Sequence, residues 1–307
     1  MSKRVLITGA SGLIGTELAK FLVDKGIEVH TLSRGNKPHT VPGVRVFQWD
    51  VRLGQIAKEA FDGVDSVIHL AGAGIADKRW TAARRQEIMD SRVQSAALLG
   101  KGIKEYGSKV QVVVSSSAIG YYGYSAKIFH EASPAGNTFP AAVCIAWEDA
   151  ARAMVQPGQR LVIIRTGIVL SKYGGAFPKL AAPVRAFVGT WLGNGQQVMS
   201  WVHLKDIASL FAYCLADDTM EGIYNGVAPE PVSQQYFVQR IGRHLKRPVW
   251  PIGVPSFLIR LVLGSMSELV LKSSSVLSNR LPNTQFQFKY RFLTDAMHEL
   301  CRNKTRS

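Results

Sequence analysis

The chain has 307 residues, 47% of them apolar and 19% charged, the balance of a globular protein long enough for a large core. Its three cysteines, Cys144, Cys214 and Cys301, are odd in number and far apart, which excludes a disulfide framework or a zinc cluster and suits reduced thiols in the cytoplasm. The formal charge of +15 attracts polyanions, but no nucleic-acid motif accompanies it, so a solvated basic surface is expected.

Val5, Leu6 and Ile7 form an apolar run that predicts a strand buried on both faces, as in a parallel sheet. A chain opening this way lacks the pattern of a secretory signal. Gly9, Gly12 and Gly15 follow with G-x-x-G-x-x-G spacing, and Leu18, Phe21, Leu22 and Val23 then carry a helical period toward Gly26. In that setting each glycine has a mechanical role: Gly9 turns the chain, Gly12 admits a pyrophosphate to the backbone, and Gly15 lets the helix lie close on the strand. The helix start, from Ser11 through Leu13 and Ile14, offers N–H groups and a positive dipole end to phosphates. This is the signature of a dinucleotide site on a Rossmann-type, doubly wound α/β parallel sheet.

Glu28-Val29-His30-Thr31-Leu32 reads as the second strand and runs into Ser33-Arg34-Gly35-Asn36-Lys37. An NAD site usually carries a carboxylate there for the ribose 2′-OH. Ser33, Arg34 and Lys37 suit a 2′-phosphate instead, so NADP is expected over NAD. The third strand ends at Asp50, on the side where ligands approach. The fourth leads through His69, read as a packed core histidine, into Leu70, Ala71 and Gly72, a small-residue turn that lets backbone lie against a cofactor ribose. Thr81 caps a long helical pattern ending at Gly107, and a fifth strand from Val110 ends in Ser115, Ser116 and Ser117, followed by Tyr121-Tyr122-Gly123.

Thr8–Gly15, His69-Leu70-Ala71, the serine-rich strand end and Tyr122-Gly123 together resemble the short-chain dehydrogenase/reductases of the extended, sugar-nucleotide-epimerase type. The resemblance implies a strand-end serine working with a Tyr-x-x-x-Lys pair on the next helix, where the Tyr passes a proton and the Lys lowers its pKa and holds the nicotinamide ribose. Aligning Glu148 with the family's acidic residue puts Pro140 in the Tyr position and Cys144 in the Lys position, and neither can do that work. The stretches SAIGYYG (117–123), Trp147-Glu148, RTGIVL (165–170), SWVHLKD (200–206) and GIYNGVAPEP (222–231), with the segment 247–300, look like the atypical branch called epimerase family protein, the predicted nucleoside-diphosphate-sugar epimerases. Ser117 matches the strand-end hydroxyl, as catalytic group or as strand-end cap. Tyr121 and Tyr122 are the candidates to replace the missing Tyr, with packing as their other reading.

In the second half, Arg165 at a buried strand end requires a partner, either in a structural ion pair or in the site. Lys172-Tyr173-Gly174-Gly175 suits a lid hinge, and Asp206 reads first as a helix cap. Residues 251–271 give an apolar helical pattern interrupted by Gly264, expected to pack internally rather than form a dimer surface or rest on a membrane; a homodimer stays open. Arg185, Arg260 and Glu268 break the apolar stretches, so no transmembrane segment is expected. From 240 to 307 twelve cations, Lys304 and Arg306 among them, face three acids, so +9 of the +15 lies there.

The expected layout is a dinucleotide-binding domain over 1–165, to which 196–225 returns, and a smaller substrate region over 166–195 and 226–307. The expected activity is NADP(H)-dependent hydride transfer on a small polar, nucleotide-sugar-type substrate, with no metal. The alternatives are a non-catalytic NADP(H)-binding regulator that reports redox state, with a link to cell division, and a basic docking protein for anionic surfaces.

Overall fold

The computed structural model describes residues 3–35 and 37–302. Asn36, Lys304 and Arg306, named above, lie outside the described residues.

Alternation of apolar side chains along the strands builds two layers on one sheet. Val5 and Ile7 of the strand Arg4–Thr8, Val112 and Val114 of Val112–Ala118, and Val162 and Ile164 of Arg160–Thr166 all face one core. The residues between them (Leu6, Val113 and Ile163) face the other, as the two-residue period of a strand requires. The helices Leu13–Asp24 and Leu204–Ala216 cover the first face. Ala82–Tyr106 and Phe139–Met154 cover the second.

Seven parallel strands run in the order Gly222–Gly226, Arg160–Thr166, Val112–Ala118, Ser66–His69, Arg4–Thr8, Glu28–Ser33 and Val44–Asp50, with Gln55–Ile56 antiparallel at the edge. The first strand in the chain thus pairs with Glu28–Ser33 on one side and Ser66–His69 on the other. Strand order reverses there, and the crevice beyond those strand ends is where an open α/β sheet takes its ligand. Gly222–Gly226, late in the chain, returns to this sheet.

A second core joins Phe177 and Val184 from Ala176–Arg185, Phe237 and Ile241 from Gln234–Leu245, and Leu293, Met297 and Leu300 from Leu293–Cys301 around the fully buried Trp201. The C-terminal segment is strapped to the helix Leu204–Ala216 by Asp206, whose two carboxylate oxygens accept the backbone N–H groups of Lys289 and Tyr290 at 2.8 and 2.9 Å. That corrects the capping role expected for Asp206. The cap of helix Leu204–Ala216 is His203, whose Nδ1 accepts from Lys205 N at 3.2 Å. Thr81 does cap Ala82–Tyr106, accepting from Arg84 N.

The expectation of a packed apolar helix over 251–271 also needs correction. Val249–Val254 is a strand paired with Gly189–Leu192; the interruption at Gly264, φ +59°, is as expected, with helix Ser256–Leu263 before it and the short helix Glu268–Leu271 after. The helix Ser256–Leu263 is only partly packed. Ile259 alone of that helix is buried, while Phe257 and Leu261 are 68% and 73% exposed. Apolar residues run around most of this helix, but only one side has a core to meet. No helix among the described residues is long and apolar enough to cross a membrane.

Candidate active site

The glycine loop sits at the strand-order reversal. Gly9 has φ +71°, and a Cβ there would lie 2.8 Å from the carbonyl carbon of Leu70 and 2.9 Å from the nitrogen of Ala71. Gly9 is therefore both the turn and the point where the loop touches the Leu70–Gly72 turn of the neighbouring strand. A Cβ on Gly15 would lie 2.3 Å from Gly9 O and 2.6 Å from Ala10 Cα, so only glycine lets the helix approach this closely. Gly12 differs: its added Cβ would meet only Gly9 O, at 3.2 Å. Ser11 and Gly12 are exposed, and Gly12 caps the helix Leu13–Asp24 with no side-chain bond. This open, uncapped helix start, shared by the backbone of Leu13 and Ile14, fits the diphosphate of a dinucleotide.

At the end of the next strand, Ser33 Oγ accepts from Gly35 N, and Arg34 and Lys37 are exposed. Among the described residues, no carboxylate pairs with either cation. His39 gives no signal in the sequence, yet it braces this region. Its Nδ1 accepts from Val41 N at 3.1 Å, which leaves Nε2 to donate to Ala10 O at 3.0 Å in the glycine loop. Asp50 turns inward on its own loop, with Oδ1 accepting from Arg52 N and Leu53 N. His69 is the core histidine expected. Its Nδ1 is 2.7 Å from Thr8 Oγ1, and burial, followed by the charge of Arg92, depresses it to about 4.

The serine strand end opens onto a buried polar network. Ser117 Oγ donates to Glu148 Oε1 at 2.8 Å. Glu148 accepts three further bonds, from Arg165 Nε at 2.7 Å and Nη2 at 2.8 Å and from Arg152 Nη2 at 3.4 Å. Arg165 Nη1 reaches the Tyr122 hydroxyl at 2.9 Å, and that hydroxyl donates to Asn225 Oδ1 at 2.7 Å. Ser117, Tyr122, Glu148, Arg165 and Asn225 are all buried. Burial opposes the charge on Arg165, but the hydrogen bond and charge of Glu148 outweigh it and hold the guanidinium protonated. Burial also pushes the Tyr122 hydroxyl up. Tyr122 and Ser117 are thus engaged inside the protein. Tyr121 is half-buried, with the guanidinium carbon of Arg165 3.4 Å from its ring centroid. Pro140 and Cys144, at the positions of the expected Tyr and Lys, are buried too. The Cys144 thiol donates to Ala118 O and is pushed up to about 11 by burial and by Glu148, so it is neutral at physiological pH. No group of side chains able to hold a metal ion occurs among the described residues.

Comparison with known proteins matches this geometry to a family. The pattern described as "NAD dependent epimerase/dehydratase family" covers residues 5–225, and a domain of unknown function, DUF1731, covers 254–300. An epimerase family protein of Staphylococcus saprophyticus is 34% identical over 304 residues, covering 97% of this chain and 99% of its own. A chloroplastic homologue from Arabidopsis thaliana, named for SDR39U1, is 33% identical over 96% of this chain and 86% of its own. Human epimerase family protein SDR39U1, solved with NADPH, superposes with a TM-score of 0.87 at 30% identity, covering 97% of this chain and 99% of that one. The fold is shared more widely, for example with Thermus thermophilus UDP-glucose 4-epimerase at a TM-score of 0.77 and 22% identity.

Proposed function

Because the chain belongs to the NAD dependent epimerase/dehydratase family, we propose that it binds NADP(H) and carries out hydride transfer on a small polar, nucleotide-sugar-type substrate. The observation that carries the cofactor reading is the pairing of the open Gly12 cradle with Ser33, Arg34 and Lys37 at the end of the next strand. The helix start takes the diphosphate, and the guanidinium and hydroxyl take the 2′-phosphate. The NADPH in the human relative supports this choice. Asp50 closes its own turn through Oδ1, at the strand end where the cofactor would lie.

When bound, the nicotinamide supplies the hydride chemistry. The protein's part is to position the substrate and to move a proton. Tyr122 is held by its two hydroxyl partners, and Ser117 donates to Glu148 while its oxygen can still accept from a substrate hydroxyl, so Tyr121 is the tyrosine left for proton duty. Pro140 and Cys144 favour a second reading, a non-catalytic NADP(H)-binding regulator.

Calorimetric titration of the purified chain with NADPH and NADH tests the shared premise, with NADPH expected to bind more tightly. No heat with NADPH would remove both readings. Consumption of NADPH with a panel of carbonyl compounds and sugar nucleotides supports the enzyme, and tight binding without turnover supports the regulator.

A further inference from the structure

Cys144 leaves a gap in the charge of the site, since the resembling enzymes place a lysine ammonium there. A cation reaches the same neighbourhood from the facing helix. Arg92, in the third turn of Ala82–Tyr106, is only 8% exposed. Its Nη1 donates to Ala73 O at 3.0 Å, in the turn that follows the strand Ser66–His69, and to Ile88 O at 2.9 Å in its own helix. The guanidinium carbon lies so near that turn that a Cβ on Gly72 would meet it at 3.1 Å. The same carbon sits 4.6 Å over the Trp147 ring, one turn beyond Cys144, and its charge acts on the Cys144 thiol. The Arg92 Nε is buried and has no hydrogen-bond partner among the described residues. With no carboxylate paired to it among the described residues, only backbone carbonyls and the Trp147 ring facing its charge, and one N–H unsatisfied, a guanidinium held this deeply is costly to keep unless something else draws on its charge.

We propose that Arg92 supplies, from the helix Ala82–Tyr106, the positive charge at the nicotinamide-ribose end of the dinucleotide site that a lysine at position 144 supplies in the resembling enzymes. The inference rests on the NADP(H) reading above and assigns a specific group to one end of that ligand. Arg92 and Cys144 form a swapped pair, with the cation moved from one helix to its neighbour and a neutral thiol left behind. This placement keeps the charge close to the Ala71–Gly74 turn, along which a ribose would lie.

The test separates the two ends of the cofactor. Calorimetry on the wild type, Arg92→Met and Arg92→Gln uses NADPH and 2′,5′-ADP, which lacks the nicotinamide ribose. The Gln variant keeps a polar amide donor in the pocket while removing the charge. Both variants are expected to weaken NADPH about tenfold while binding 2′,5′-ADP within about twofold of wild type. Adding Cys144→Lys to Arg92→Met is expected to restore most of the lost NADPH affinity. Unchanged NADPH affinity in the variants overturns the inference. So does an equal loss for both ligands, which would make Arg92 a brace for the turn. A wild type that binds no NADPH removes the functional reading itself, and so is distinct from either result.

Discussion

Arg165 grips Glu148 through two parallel hydrogen bonds, Nε to Oε1 at 2.7 Å and Nη2 to Oε2 at 2.8 Å, with both residues 1% exposed. The pair joins the strand Arg160–Thr166 to the helix Phe139–Met154 and anchors Ser117 and Tyr122 at its two ends. Removing one member strands a buried charge, Glu148 keeping only the half-exposed Arg152 at 3.4 Å when Arg165 is lost. Glu148→Gln or Arg165→Met is therefore expected to cost roughly 3–5 kcal/mol in urea denaturation. Replacing both with apolar residues of similar size should recover much of that loss. A single variant within about 1 kcal/mol of wild type would show that the pair is not what holds this region.

Gly12 and Gly15 predict opposite outcomes. Gly15→Ala drives a methyl group into the backbone of Gly9 and Ala10 and should lower stability by about 1–3 kcal/mol. Gly12→Ala meets only Gly9 O at 3.2 Å, so its melting temperature should stay near wild type while NADPH affinity falls at least about tenfold. Equal effects of the two changes on folding would contradict the separate roles given to the two glycines.

Arg34 should decide the choice of cofactor. With no carboxylate pairing it among the described residues, it is free for a 2′-phosphate, and Arg34→Ala should lose about tenfold in NADPH affinity. NADH binding should change little. A wild type that prefers NADH would remove the phosphate site.

His203 gives stability a defined pH dependence. Burial depresses it to about 4 in the fold, although Glu299, 3.3 Å from its Nε2, pulls the other way. The unfolded chain, with histidine near about 6.5, takes up the proton first. The contribution is therefore complete above about pH 6.5 and is lost as pH falls toward 4, by an amount on the order of 3 kcal/mol. His203→Asn keeps an acceptor for Lys205 N and cannot become charged, so its stability profile across that window should be flatter. Part of the remaining slope is expected from His69, depressed to about 4, and from His30, which burial lowers in the same direction. Parallel profiles for wild type and variant would exclude His203 as the source.

The sheet and its glycine loop were legible in the sequence because their causes are local. The alternation in Val112-Val113-Val114 and the crowding around Gly9 and Gly15 act over a few residues, so composition and spacing specify them directly. The sequence also showed that Pro140 and Cys144 break the family pattern, and that Arg165 needed a partner. It could not say that the partner is Glu148, because that depends on the register setting Ser117 opposite Arg165 and on the helix face turned toward them. The same holds for Asp206, which ties down Lys289 and Tyr290 rather than its own helix, and for Phe257 and Leu261, apolar residues left in solvent. A side chain's type fixes what it can bond or bury. Which groups it meets is decided by segments far along the chain, and only the assembled tertiary structure brings those together.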